Sequence, residues 1–402
     1  MGKQTIQNTQ HIEFVVLKKL CSGCGVCVSI CPGNSIEMDE SGYYNYPSVN
    51  KDSCSNCGLC LKVCPGYSLY KKIINRSFNN DVYEGIVSTQ VCNSKDEKIR
   101  YYSSSGGFIT SLILYLIERK LVDGAIVIRQ SHNNVLNNEV YIAKTASEVL
   151  QSMGSRYSPS SNCTIFKELE ALKGKYVFVG KPCQIEGLIR YQKIKKNTKF
   201  EIFLKIGLFC KHTPSRKALY TLFDDHGITI DKDIRLKYRG MGWPGFFTVF
   251  DRDKEILKIP YLDCWVNYFA NIRNIRCIVC DNPFSSHADI SVGDPWGKEF
   301  RGDKIGKSMV LIRSDKGEKV FGSLINDKII ESQTISTENL IRLQKWLSLR
   351  KRNIYHLATA YTIVIRKKIA FSDMLFILKN ILIRQNFKVI KYCNEIRSNM
   401  NE

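Results

Sequence analysis

The chain has 402 residues, enough to bury a substantial core in two or three structural units, and its 44% hydrophobic and 24% charged content is that of a soluble globular protein. Lys plus Arg number 59 against 38 Asp plus Glu, a net charge of +21, which points to acidic partners or bound anionic groups. Nucleic acid is not expected among them, because the basic residues are spread along the chain and no basic motif is interleaved with aromatics.

The first ten residues, MGKQTIQNTQ, lack the apolar core of a signal peptide, and Ile6 stands where a myristoylation signal needs Ser or Thr. A cytoplasmic location is the expectation. Sixteen cysteines in a reducing compartment then point to metal or cluster chemistry rather than a disulfide framework. The longest apolar run, Gly106 to Ile117, is shorter than the ~20 residues of a membrane-spanning helix and reads as a buried core helix.

CSGCGVCVSICP places Cys21, Cys24, Cys27 and Cys31 before Pro32, and CSNCGLCLKVCP repeats the spacing with Cys54, Cys57, Cys60 and Cys64 before Pro65. Three thiolates spaced by two residues suit three corners of one iron-sulfur cube, while the fourth cysteine, followed by Pro, points to the neighbouring cube. One 4Fe-4S cluster is therefore expected on Cys21, Cys24, Cys27 and Cys64, and the other on Cys54, Cys57, Cys60 and Cys31. A pair of zinc ribbons would leave the third and fourth cysteine of each run without a purpose. Gly23, Gly25 and Gly58 suit tight turns whose amides approach the cluster sulfurs, and Val26, Val28, Ile30, Leu59 and Val63 would shield the cubes from water. The run resembles bacterial two-cluster ferredoxins over about residues 12 to 70.

After a polar stretch around Asn75 to Asp81, short β-branched runs alternate with helical patterns. Strands are expected at 123–129, 176–180 and 202–209, and helices at 107–120, 163–173 and 214–226, an alternation that predicts an α/β domain. GMGWPG, Gly240 to Gly245, matches a dinucleotide fingerprint by letter but leads into the strand-like FFTVF, and GDKIGKS, Gly302 to Ser308, is one residue short of a P-loop. Neither is expected to bind a nucleotide.

Three small-residue loops remain. YSSSGGF at 102–108 precedes the helix of Leu112 and Leu116 and offers hydroxyls and amides to a pyrophosphate. GSRYSPS at 154–160 carries a guanidinium and an aromatic ring, and VGKPCQIEGL at 179–188 sets Lys181 and Cys183 at a strand's carboxyl end, where open α/β sheets bind ligands. RCIVC, Arg276 to Cys280, carries a Cys-x-x-Cys pair that fits half a zinc site, a redox dithiol or part of a further cluster.

Taken in order, SSSGG, GSRY, GKPCQIEGL, LFCKH, GWPG, RCIVC and ADISVGDPWG resemble the family of coenzyme F420 hydrogenase/dehydrogenase beta subunits over about residues 85 to 335. The resemblance implies FAD beside one further 4Fe-4S cluster, with Cys183, Cys210, Cys277 and Cys280 as ligands. It implies flavin contacts at Ser105, Gly106 and Gly107 near the pyrophosphate, and at Ser155, Arg156, Tyr157 and Lys181 around the rest. His212 is the candidate general acid. Asp294 reads as a structural carboxylate capping backbone amides rather than a catalytic base, and Arg239 and Trp243 are further candidates for flavin or substrate contact. Cys92, Cys163, Cys264 and Cys393 have no matching role and read as ordinary buried thiols.

The whole is then an α+β ferredoxin-like two-cluster module (12–72), an α/β FAD and 4Fe-4S domain (82–335) and a basic, helical C-terminal extension (341–402). It is expected to be an iron-sulfur flavoprotein oxidoreductase working between clusters, FAD and a small organic substrate, with a redox partner such as ferredoxin or a reductase. The alternative is an electron-transfer subunit that serves a partner enzyme. Oligomeric state is left open. In the extension, Arg384, Lys388 and Lys391 lie on one helical face opposite Leu378, Leu382 and Val389, a pattern that suits an anionic membrane surface or, on the blander reading, packing on the protein's own body. No cluster or flavin role is expected there.

Overall fold

The computed structural model describes residues 11–270, 273–300 and 302–367. In the first of its two parts, both cysteine runs take one local shape. Gly25 and Gly58, at φ +86° and +70°, precede single-turn helices Val26–Ile30 and Leu59–Val63. That backbone region is cheap only for glycine. Each helix stops at its fourth cysteine, where Cys31 and Cys64 are extended, as a residue before proline prefers. Pro65 then opens an eleven-residue helix, Pro65–Asn75. Strands β1 (Ile36–Asp39) and β2 (Tyr46–Val49) pair antiparallel between the two runs.

The second part is a mixed α/β body. Its strands are β3 (Ser88–Ser94), β4 (Gly124–Gln130), β5 (Asn138–Ala143), β6 (Gly174–Gly180), β7 (Phe200–Leu208), β8 (Ile234–Lys237), β9 (Phe246–Asp251), β10 (Lys254–Pro260), β11 (Ile290–Gly293), β12 (Ser308–Ile312) and β13 (Ile330–Ile335). Eight of them form one sheet in the order β13-β3-β12-β11-β7-β6-β4-β5, while β8, β9 and β10 make a separate antiparallel sheet. The central strands β4, β6, β7 and β11 run parallel. Their carboxyl ends therefore share one edge, which brings Lys181, Cys210 and Asp294 to the same side of the molecule.

Helix Phe108–Glu118 buries Phe108, Leu112 and Leu116 against Val177, Leu204 and Ile206. Helix Pro182–Ile194 belongs to a second apolar cluster, where Ile185, Leu188 and Tyr191 join Phe178 and Ile202 with Val26, Ile30 and Val63 of the ferredoxin part. The residues expected to shield the cubes thus also bind the two parts together. Polar contacts reinforce the seam: Ser29 Oγ donates to the Cys163 carbonyl (2.7 Å), the Cys163 amide to the Cys24 carbonyl (2.9 Å), and the buried Arg216 to Gly42 and Glu40 carbonyls and Asn45 Oδ1 (2.7–2.9 Å).

The strands expected at 123–129, 176–180 and 202–209 are β4, β6 and β7, and two expected helices are Phe108–Glu118 and Lys217–Asp225. The helix expected at 163–173 is instead a 3-10 turn, Asn162–Ile165, and one α turn, Phe166–Leu169. Its start is tethered to the ferredoxin loop by the Cys163 amide and to β6 by Asn162 Nδ2, which donates to the Val179 carbonyl (3.2 Å). GMGWPG joins β8 to β9 and opens no helix.

The C-terminal extension forms helices Asn339–Leu343, Lys345–Arg352 and Ile354–Lys367. Leu340, Leu343 and Leu347 pack on Met309 and Leu311, and Ile354, Ala358 and Tyr361 pack on Ile12, Val15 and Leu20, so the segment straps both parts of the protein. Arg384, Lys388, Lys391 and Cys393 lie outside the described residues. Among the described residues no helix is long and apolar enough to cross a membrane.

Candidate redox site

In the ferredoxin part, Cys21, Cys24, Cys27, Cys60 and Cys64 are buried, Cys31 and Cys54 half-buried, and Cys57 exposed. Burial raises the Cys27 thiol well above its ordinary range, and the charges of Cys24, Cys21, Cys64 and Cys60 add to the rise. Cys64, from the second run, is thus within the electrostatic reach of Cys21, Cys24 and Cys27, and Cys60 within that of Cys27. Cys60 is pushed up to about 11 by burial, opposed by the Ile12 and Leu61 amides, with Cys57 and Cys54 as its charged neighbours. The Gly23 amide points at Cys21 Sγ (3.4 Å), a backbone donor aimed at sulfur. Among the described residues no three donors are gathered around one metal-ion position; a cubane cluster takes each thiolate at a different iron and asks for no such convergence.

A second group of thiols gathers at the carboxyl ends of the parallel strands. Cys183 lies just past β6 in the first turn of its helix, Cys210 just past β7, and Cys277 and Cys280 on and after the short helix Ile275–Ile278. The Cys210 thiol is raised by burial and then by Cys277 and Cys183, and Arg276 lies in the field of Cys280, Cys183 and Cys277. Cys183, Cys210 and Cys277, from three chain segments, therefore lie within one another's electrostatic reach, and Cys280 joins them through Arg276. They also adjoin the first ferredoxin set, for Cys183 acts on both Cys21 and Cys24 electrostatically, if weakly. Burial raises the Cys183 and Cys210 thiols, so loading them with metal would release protons.

Two features of this neighbourhood have no signal in the sequence. Arg350, in the C-terminal extension, donates to the Cys210 carbonyl (2.6 Å), the Cys277 carbonyl (3.1 Å) and the Lys211 carbonyl. The extension, for which no cluster role was expected, thus clamps the backbone of two of the four cysteines. Asn274 Nδ2 donates to the Cys21 carbonyl (3.2 Å) while its Oδ1 caps the Arg276 amide (2.9 Å), fastening the two thiol groups to each other. Cys163 is buried as expected, with its thiol donating to the Gln184 carbonyl (3.5 Å), but it stands beside Cys24 and is the main cause that lowers Cys24 to about 7, so it is part of this neighbourhood rather than plain core. Cys92 and Cys264 are buried in apolar clusters.

The expected flavin loops meet at one point: the Ser155 amide donates to Ser104 Oγ (2.6 Å). Within the first loop, Ser105 Oγ donates to the Lys307 carbonyl (2.6 Å) and the Gly106 amide to Ser308 Oγ (3.0 Å). A Cβ on Gly106 would stand 2.6 Å from the Cys92 carbonyl oxygen and the Ser308 amide nitrogen. These two residues therefore seat the loop on the sheet and do not offer the donors expected of them. Gly107, at φ +76°, begins helix Phe108–Glu118 with no side-chain cap, and the neighbouring Ser103 Oγ is buried without a hydrogen-bond partner. Arg156 is half-buried with Tyr238 and Tyr141 in its surroundings, and burial lowers its affinity for the proton. Tyr157 stacks on Tyr261 (5.6 Å) within an aromatic group containing Trp265 and Phe269. Lys181 Nζ reaches Thr213 Oγ1 (3.3 Å). An uncapped helix start, an orphaned hydroxyl and two cations at one edge fit an anionic cofactor such as a pyrophosphate.

His212 does not fit the general acid expected of it. Its Nε2 donates to the Phe269 carbonyl (2.8 Å), its Nδ1 is buried without a partner, and burial drives its pKa down to about 3, leaving the ring neutral. Asp294 is structural, as read from the sequence, but it binds side chains: both Arg239 nitrogens (2.8 Å) and Trp243 Nε1 (2.9 Å). Arg239 and Trp243 are thereby committed to the protein itself.

Fold and thiol placement define the class, an iron-sulfur electron-transfer protein of the oxidoreductase type, and the family model for a 4Fe-4S dicluster domain matches residues 20–66. The models for the N-terminal and C-terminal parts of the coenzyme F420 hydrogenase/dehydrogenase beta subunit match residues 89–167 and 173–338. The chain belongs to that family. It is 26% identical to the coenzyme F420 hydrogenase subunit beta of Methanococcus voltae, over 64% of this chain and 88% of that one. It is 24% identical to a subunit of the F(420)H(2) dehydrogenase of Methanosarcina mazei, over 79% of this chain and 86% of that one. With the coenzyme F420-dependent sulfite reductase of Methanocaldococcus jannaschii it shares 24% identity over 83% of this chain and 51% of that protein. Its fold resembles a chain of the F420-reducing [NiFe] hydrogenase complex from Methanosarcina barkeri, with a TM-score of 0.54 and 23% identity over 70% of this chain and 93% of that one.

Proposed function

We propose that the protein is a cytoplasmic iron-sulfur flavoprotein that passes electrons between its ferredoxin module and a small organic molecule of the F420 type or another metabolite. The observation that carries this reading is the placement of Cys183 and Cys210 at the carboxyl ends of β6 and β7, in one another's electrostatic field and in that of Cys277, beside Cys21 and Cys24 of the ferredoxin part. Four thiolates hold a third 4Fe-4S cluster, next to the one on Cys21, Cys24, Cys27 and Cys64, with the remaining one on Cys54, Cys57, Cys60 and Cys31. The start of helix Phe108–Glu118, Ser103, Arg156 and Lys181 would hold FAD, with the Tyr157 ring next to Arg156 in the chain. Bound there, FAD supplies an exchange between single electrons and an electron pair. The chain's own part is to bind and orient: Arg156 and Lys181 neutralise phosphate charge, and Asp294 holds Arg239 and Trp243 in place.

A second reading, a subunit that only relays electrons for a partner enzyme, draws on the exposed Cys57 and on a hollow of about 450 Å³ beside it, lined by Gly58, Leu61, Lys62, Tyr67 and Lys71. Relatives named as subunits favour it too. Anaerobic purification with iron, sulfide and flavin quantified together tests the reading. About twelve iron and one FAD per chain are expected for three cubanes and a flavin. About eight iron would remove the third cluster, and absence of flavin binding would remove FAD. Substrate turnover by the isolated, reduced protein would exclude the relay-only reading.

A further inference from the structure

Arg276 is 4% exposed, its Nε has no hydrogen-bond partner, and no carboxylate pairs with its guanidinium among the described residues. Glu186, a carboxylate in its surroundings, is already paired with Arg190 (3.0 Å). An unpaired buried guanidinium is strongly unfavourable, so something anionic must face it in the working protein. Its charged surroundings are chiefly sulfur: it precedes Cys277 in the chain and stands one turn before Cys280, and it acts electrostatically on Cys183 and on Cys21 and Cys24 of the first ferredoxin set. The backbone joins the same two groups, since Asn274 links the Cys21 carbonyl to the Arg276 amide. The leading influences on Cys60, in the remaining ferredoxin set, do not include Arg276.

We propose that Arg276 is a shared positioning cation, placed between the cluster on Cys21, Cys24, Cys27 and Cys64 and the cluster on Cys183, Cys210, Cys277 and Cys280, that makes both easier to reduce. The inference rests on the third-cluster reading above. Each tetrathiolate-bound cube carries net negative charge that grows when an electron is added, and a fixed cation in a medium of low dielectric offsets that growth. Serving both cubes at once, it also lowers the repulsion between two reduced neighbours. Arginine suits the place because it holds its charge when buried, whereas lysine shifts more readily.

EPR-monitored redox titration of the reconstituted protein tests this with Arg276→Met, Arg276→Gln and Arg276→Lys. Loss of the charge is expected to disfavour reduction of both neighbouring clusters by about tenfold or more, which is about 59 mV for each tenfold in a one-electron couple. The cluster on Cys31, Cys54, Cys57 and Cys60 stays put as the internal reference, and Arg276→Lys recovers most of the shift. Unchanged midpoints in a Met or Gln variant that keeps all its iron would overturn the proposal. So would a Lys variant displaced as far as Met, which would mean packing rather than charge. If a variant loses the third cluster, the midpoint of the cluster on Cys21, Cys24, Cys27 and Cys64 still decides. Wild-type protein with about eight iron would instead sink the third-cluster reading itself.

Discussion

In the ferredoxin module each run of cysteines is shaped by a single turn and helix, and the sites on Cys21 to Cys64 need only the two runs to lie side by side. Cys183, Cys210, Cys277 and Cys280 are brought together instead by the parallel pairing of β6 with β7, by a short helix capped by Asn274, and by a strap from the C-terminal extension. Local sites tolerate distant change because few non-local contacts define them. A site assembled from three segments inherits the stability of everything that positions those segments. The third group of thiols is therefore the more fragile of the two, and the one through which mutations elsewhere are felt.

The sharpest break between the regions is Cys277→Ala. It is expected to cost about four of twelve iron per chain while leaving the eight N-terminal thiolates loaded, as metal analysis will read. The next largest effect concerns the flavin loops: Arg156→Met removes a cation that has no carboxylate partner among the described residues. A charge-assisted bond to phosphate contributes roughly 1.5–3 kcal/mol, so FAD binding should weaken by tenfold or more in equilibrium dialysis, with iron content unchanged. Arg350→Gln follows. It withdraws a charged clamp from the Cys210 and Cys277 carbonyls, and under a chelator the third cluster should be lost several-fold faster than in the wild type, ahead of the ferredoxin clusters. Smallest is His212→Gln. Because the ring is already neutral, its replacement should leave the pH profile of electron transfer between pH 6 and 8 without a lost step, measured with an artificial electron acceptor.

How much of this was legible follows the same divide. The spacing of Cys21 to Cys31 and of Cys54 to Cys64 fixes a site by itself, since the ligands lie within one turn-and-helix unit, and the glycines at positive φ stood in plain view. The alternating apolar runs announced β4, β6 and β7. Strands β3 and β13 were not legible: β3 is buried yet reads STQVCNS, and β13 shows mostly polar residues on an edge where little is buried. RCIVC left several chemistries open from its residues alone, because Cys183 and Cys210 become its neighbours only through sheet topology. Arg350 and Asn274 carry no pattern at all; each acts on backbone carbonyls that any sequence would supply. His212 misled because proximity to Cys210 said nothing of its burial.

The central claim is that the α/β body holds a cluster of its own beside the ferredoxin pair. Spin quantitation by EPR on anaerobically reconstituted, fully reduced protein tests it directly, since each reduced 4Fe-4S cluster contributes one unpaired-electron system. If the body does hold one, about three spins per chain are expected, with magnetic interaction between the cluster proposed on Cys21, Cys24, Cys27 and Cys64 and the one proposed on Cys183, Cys210, Cys277 and Cys280. About two spins per chain in protein whose ferredoxin cysteines are fully loaded would contradict it.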